Sequence, residues 1–192
     1  GADYYDYIGR YDTLSTLGDL DGDGYDDWAM SSANADSYYG SAWVYYGDAS
    51  FTASSTDDAD ATFGGTSSYA GFGAHIDGGQ DLDGDGYSDM MINDELGGYI
   101  WTGGATRLTD TDSYSIDITD SSITYGYFDM SDTSIADYNG DGAADVTLTN
   151  YQNASNTGAA WSFSGPLSAG SYDVTDADSS LVGSGTYTYF GR

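Results

Sequence analysis

The segments DLDGDGYDDWAM, DLDGDGYSDMMI and DYNGDGAADVTL open at Asp19, Asp81 and Asp137 and align without a gap. One acidic loop therefore occurs three times, at intervals of 62 and 56 residues. A period of this size suits a repeated unit of four strands with their connections. Apolar residues follow each loop directly, and Gly40, Gly97 and Gly158 then lead the aromatic segments GSAWVYYG, GGYIWTGG and GAAWSFSG. Each unit thus predicts two adjacent strands. The segments ATFGG at Ala61, SIDITD at Ser115 and YDVTDAD at Tyr172 alternate enough to be the outer strands.

A further pattern stands upstream of each loop, YIGR at Tyr7, GFGA at Gly71 and YFDM at Tyr127, and it returns as YFGR at the end. The chain reads as one array over 1–192, with units near 7–70, 71–126 and 127–189 and equivalent partial segments at 1–10 and 185–192. Composition agrees with strands and tight turns: 28 Gly, one Pro and 20 Tyr. Aromatic residues at 16% favour a packed core over disorder.

With 32 Asp and Glu against three Arg and no Lys, the net charge of −29 excludes an electrostatic grip on nucleic acid or anionic lipid. No apolar run is long enough for membrane insertion. The natural partner of such a chain is a cation. Without Cys there is neither a disulfide nor a thiolate metal site.

In the first loop Asp19, Asp21, Asp23 and Asp27 place carboxylates at relative positions 1, 3, 5 and 9, with the Tyr25 carbonyl at position 7. Odd spacing around a tight turn aims these oxygens at one point, where their repulsion demands a divalent ion. The second loop offers Asp81, Asp83, Asp85, Asp89 and the Tyr87 carbonyl, and is expected to bind equally well. The third offers Asp137, Asn139, Asp141, Asp145 and the Ala143 carbonyl; with one charge fewer, it is expected to be the weakest. A donor set of six or seven oxygens suits Ca²⁺ rather than Mg²⁺ or zinc, about three ions per chain. Gly22 and Gly24, like Gly84 and Gly86, permit the sharp turn. An EF-hand is excluded, because position 12 holds Met30, Ile92 and Leu148 in place of a bidentate Glu.

Together these residues resemble the FG-GAP repeats of integrin α-subunit β-propellers and their bacterial relatives. The carriers are Phe72-Gly73, Phe190-Gly191, Ile8-Gly9, Phe128-Asp129, the three acidic loops and the aromatic strand after each. The resemblance implies an all-β array of four-stranded propeller-type blades, with calcium in the loop joining the first two strands of each. Three blades cannot close a ring within one chain. Open sheet edges seek partners, so the resemblance also implies either a piece of a longer array or self-association, the latter with GADYYDYIGR adding as a strand to a neighbouring copy in a head-to-tail filament or ring.

The function expected is an extracellular or cell-surface structural and adhesive module, not an enzyme, in which calcium stiffens the loops. The alternative is a propeller binding a protein or glycan through its loops, with Tyr38, Tyr39, Tyr69 and Tyr151 as contact residues. A carbohydrate hydrolase would need a carboxylate pair, and while most clustered carboxylates belong to the loops, Asp94 and Glu95 do not. His75 is the lone histidine and reads as a packing residue. Trp28, Trp43, Trp101 and Trp161 are expected in the core, and Asn153-Ala154-Ser155 fits the N-glycosylation pattern.

Overall fold

The computed structural model describes residues 7–8, 13–53, 55–121, 130–151 and 157–185. The structure is all-β and is built from three sheets in chain order. Sheet I contains β1 (Leu14–Gly18), β2 (Asp27–Ser32), β3 (Ser41–Tyr45) and β4 (Ala61–Gly64), each antiparallel to the next. Sheet II contains β5 (Ile76–Gln80), β6 (Asp89–Asn93), β7 (Gly97–Trp101) and β8 (Ile116–Thr119) in the same order. Sheet III is formed by β9 (Met130–Ala136), β10 (Asp145–Asn150), β11 (Ala159–Phe163) and β13 (Ser179–Val182). β12 (Gly170–Asp173) leaves this pattern and pairs parallel to β8, giving sheet II a fifth strand.

Both faces of the middle sheet are buried, which explains why β6 is apolar at successive positions instead of alternating. Met90 and Ile92 point into a core with Ala29, Val44 and Phe63 of sheet I, while Met91 and Ile100 point into a second core with Val146, Leu148 and Trp161 of sheet III. Phe72 lies in the first core beside Trp101, with ring centroids 6.3 Å apart. β1 lies against β5, and β5 against β9.

Two expectations from the sequence are corrected. YDVTDAD does not supply the outer strand of sheet III; its first residues belong to β12, and the outer strand is Ser179–Val182. A capping box ends the β12 run, with Asp173 accepting from Thr175 N and Asp176 turning back to the Asp173 amide. The Gly-led strands are also out of frame by one in the second unit. Met30 pairs with Trp43, Leu148 with Trp161 and Ile92 with Tyr99, so Gly97 is equivalent to Ser41 and Ala159, not to Gly40.

All four tryptophans lie on strands, but only Trp101 and Trp161 are buried; Trp28 and Trp43 are half-buried on the outer face of sheet I. Of the N-terminal segment GADYYDYIGR only Tyr7 and Ile8 are described, and YFGR at the C-terminus, most of YFDM and Asn153 fall outside the described residues. Among the described residues no helix is long and apolar enough to cross a membrane.

Candidate metal-binding loops

Each acidic loop joins the first two strands of its sheet, and each is ordered by the same side-chain to backbone bonds. The position 1 carboxylate accepts from the amides at positions 4 and 6. These bonds run from Gly22 and Gly24 to Asp19 (2.7 and 2.9 Å), from Gly84 and Gly86 to Asp81 (2.6 and 2.8 Å), and from Gly140 and Gly142 to Asp137 (2.6 and 3.0 Å). Both glycines have positive φ in every copy, between +74° and +96°. A side chain there is strained, so the pattern DxDGDG is a statement about backbone as much as about charge.

The position 5 carboxylate accepts from the amide at position 7, Tyr25, Tyr87 or Ala143, at 3.0, 2.9 and 2.9 Å. The carbonyls expected as ligands belong to these same residues. At position 3, Asp21 and Asp83 accept from the position 5 amide at 3.1 Å with one oxygen and leave the other directed outward, whereas Asn139 accepts at 2.8 Å with its single oxygen and donates its side-chain amide to Asp145 at 3.4 Å. One oxygen each from Asp19, Asp21 and Asp23 lies within 4.8 Å of the others, as does one each from Asp81, Asp83 and Asp89. Two carboxylates at such separation repel by about 3–4 kcal/mol at an effective dielectric near 20, before solvent screening. The donors are all oxygen, and a hard divalent cation satisfies them.

The ninth-position Asp has a role that spacing did not show. Asp27 is 1% exposed and accepts from Leu20 N and Gly47 N, both at 2.8 Å. Asp89 accepts from Leu82 N at 2.7 Å and Gly103 N at 2.9 Å, and Asp145 from Tyr138 N and Gly165 N at 3.0 Å each. This residue pins the start of the acidic loop to the end of the third strand. In the second loop it also joins the cluster of converging oxygens.

Burial pushes Asp27 up to about 6 and Asp89 to about 7, against the backbone bonds that pull the other way. In the calcium-free protein these groups, folded, hold protons that the unfolded chain has released, so stability falls as pH rises from about 4 through 7. The calcium-free protein is expected to melt at a higher temperature at pH 5 than at pH 8. Melting curves on dialysed protein check the sign, and a melting point that climbs with pH contradicts it.

Arg107 was not foreseen. It reaches from the β7–β8 connection to the first loop, pairing with Asp21 and, at 3.1 Å, with Asp23, while its guanidinium lies 4.6 Å from the centroid of the Tyr46 ring. It engages the outward oxygens that an ion would need. The first and second loops therefore differ in a way their sequences hide. The third loop differs in exposure: position 2 is Leu20 and Leu82 in the covered loops, at 1% and 0%, and Tyr138 at 52% in the last.

Asp94 caps the β6–β7 turn by accepting from Leu96 N and Gly97 N, and burial pushes its pKa up. His75 is half-buried beside β6, where its carbonyl accepts from Asn93 N. No family model matches the chain, and no curated protein matches it. The loops must speak for themselves.

Proposed function

We propose that the protein is a calcium-binding structural and adhesive repeat module of the FG-GAP type, acting outside the cell, with ions held in its three acidic loops. The observation that carries this reading is the threefold recurrence of one loop scaffold, which in its first and second copies leaves three carboxylate oxygens converging within 4.8 Å. Partly exposed loops of this kind suit the weak affinities of extracellular calcium modules, about 10⁻⁴–10⁻³ M. The carboxylates serve loop order and turn capping, which favours a structural role over catalysis.

Calorimetric titration with Ca²⁺ tests it. About three ions are expected per chain, the exposed third loop weakest because Asn139 removes a charge. Arg107→Gln is expected to tighten the first loop several-fold, since it removes a competing cation. No heat of binding with Ca²⁺ in wild type, or an Arg107→Gln titration that loses the first site, contradicts the reading.

A second reading, recognition of a glycan or protein by surface loops, is favoured by one feature. Tyr38 and Tyr69 stack with centroids 4.8 Å apart on backbone of positive φ, and Tyr69 is 68% exposed. Exposed stacked rings on a constrained turn offer a platform for a sugar face.

A further inference from the structure

The two contacts between sheets inside the chain are built from the same strand positions. Register makes Tyr45, Trp101 and Phe163 equivalent on the third strands, and Phe63, Ile118 and Leu181 equivalent on the outer strands. Between sheets I and II, Phe63 is 4% exposed and packs on Trp101 at 5.0 Å between centroids. Between sheets II and III, Ile118 is fully buried in the core that contains Phe163. At each joint an outer-strand knob of one sheet fills the aromatic face of the next.

At the two ends no sheet among the described residues supplies the opposite half of this joint, and Tyr45 is itself 2% exposed beneath the Trp28 ring stacked on it at 4.3 Å. Leu181 is 65% exposed. Tyr45, with Ile8, Trp28, Met30 and Phe51, borders an apolar cavity of about 370 Å³. Ile8 stands in its unit where Phe72 stands in the second, and Phe72 is the residue that frames the Phe63 position. The loops tell the same story. Leu20 and Leu82 are covered by the following sheet, whose amides at Gly104 and Leu167 donate to their carbonyls at 2.9 and 2.7 Å, whereas Tyr138 is exposed.

We propose that a second copy of this chain docks head-to-tail, with Leu181 of one copy entering the cavity beside Tyr45 of the other and sheet I covering sheet III. Shape and charge both favour a copy as the occupant. The internal joints set bulky side chains such as Met90 and Trp101 against small ones such as Ala29 and Ala42; the outer face of sheet III presents Thr147, Thr149, Ala160 and Ser162. In a chain of net charge −29, Thr147, Thr149, Ala160, Ser162, Ser179 and Leu181 on that face carry no charge, and neither do Leu14, Thr16, Trp28, Met30, Trp43 and Tyr45 opposite; acids flank the face only at Asp145, at the loop end of β10, and at Asp132 on the edge strand β9. The contact is one of faces; from GADYYDYIGR it uses Ile8 as part of the cavity wall and needs no strand addition by that segment. It differs from the internal joints in one respect: Asp26 and Asp48 stand where those have Ser88 or Ala144 and Gly104 or Pro166. These acids meet the third acidic loop across the joint, so the association strengthens with salt and with calcium.

Sedimentation velocity of the full chain in calcium and about 0.15 M salt, over a concentration series, is the test. Wild type is expected to rise above monomer mass with concentration and to fall back at low ionic strength. Leu181→Asp and Thr147→Arg are expected to remain monomeric with unchanged circular dichroism and unchanged calcium stoichiometry, which keeps this result separate from the calcium reading. A wild type that stays monomeric throughout overturns the proposal. So does association that both variants leave intact, since the contact would then lie elsewhere, as it would with an added N-terminal strand.

Discussion

Removal of calcium by a chelator is expected to lower the melting temperature by roughly 15–30 °C. An ion that binds only the folded chain at a hundredfold excess over its Kd stabilises by about 2.7 kcal/mol per site. Three sites give about 8 kcal/mol, comparable with the whole stability of an ordinary domain, about 5–15 kcal/mol. For a chain of this size each kcal/mol moves the midpoint by about 2–4 °C. Among the described residues the converging aspartates of the first two loops have no shared counter-charge, because Arg107 pairs only with the first. Parallel melts with Ca²⁺ and with chelator measure the difference. A shift of a degree or two would mean that the loops are ordered without an ion, and the functional reading would fail with it.

Replacement of Asp89 by Ala is expected to destabilise by about 2–6 kcal/mol, and to do so in chelator as well as in calcium. The two amides it accepts from, Leu82 N and Gly103 N, would be left without their partner in a site that is 0% exposed. Each such loss costs about 1–3 kcal/mol. Asp83→Asn supplies the contrast. Asp83 sits at the converging oxygens and makes only a turn bond within its loop, so its loss should show in calcium and vanish in chelator. Denaturant unfolding of both variants in both conditions separates the two roles. Equal behaviour of the two would show that the ninth position is a ligand and nothing more.

The acidic loops were legible because their information is local. Odd-numbered oxygens and glycines at fixed places dictate one turn, and that turn recurs with the same bonds in all three copies. Strands β4 and β8 were legible for a similar reason, since ATFGG and SIDITD alternate one buried face with one open face. YDVTDAD has the same local pattern, but its pairing is decided elsewhere. The open edge of β8 captures residues 170–173 in parallel register, and no property of the segment itself names that partner. The frame of the strand at Gly97 was misread because glycine suggests a turn, whereas register is set by the alternation that places Tyr99 opposite Ile92. Arg107 lies 86 residues from Asp21 in the chain; only the packing of sheet II on sheet I brings them together. Likewise the spacing identified Asp27, Asp89 and Asp145 as oxygens for an ion, but their bonds to a distant third-strand end depend on the closed sheet.

β12 has a mechanical meaning. Its residues lie in the chain between two strands of the last sheet, yet their main-chain ladder belongs to the middle one. Those two sheets cannot be pulled apart without tearing that ladder, so a chain stretched from its ends would surrender sheet I first and lose the other pair in a single later rupture.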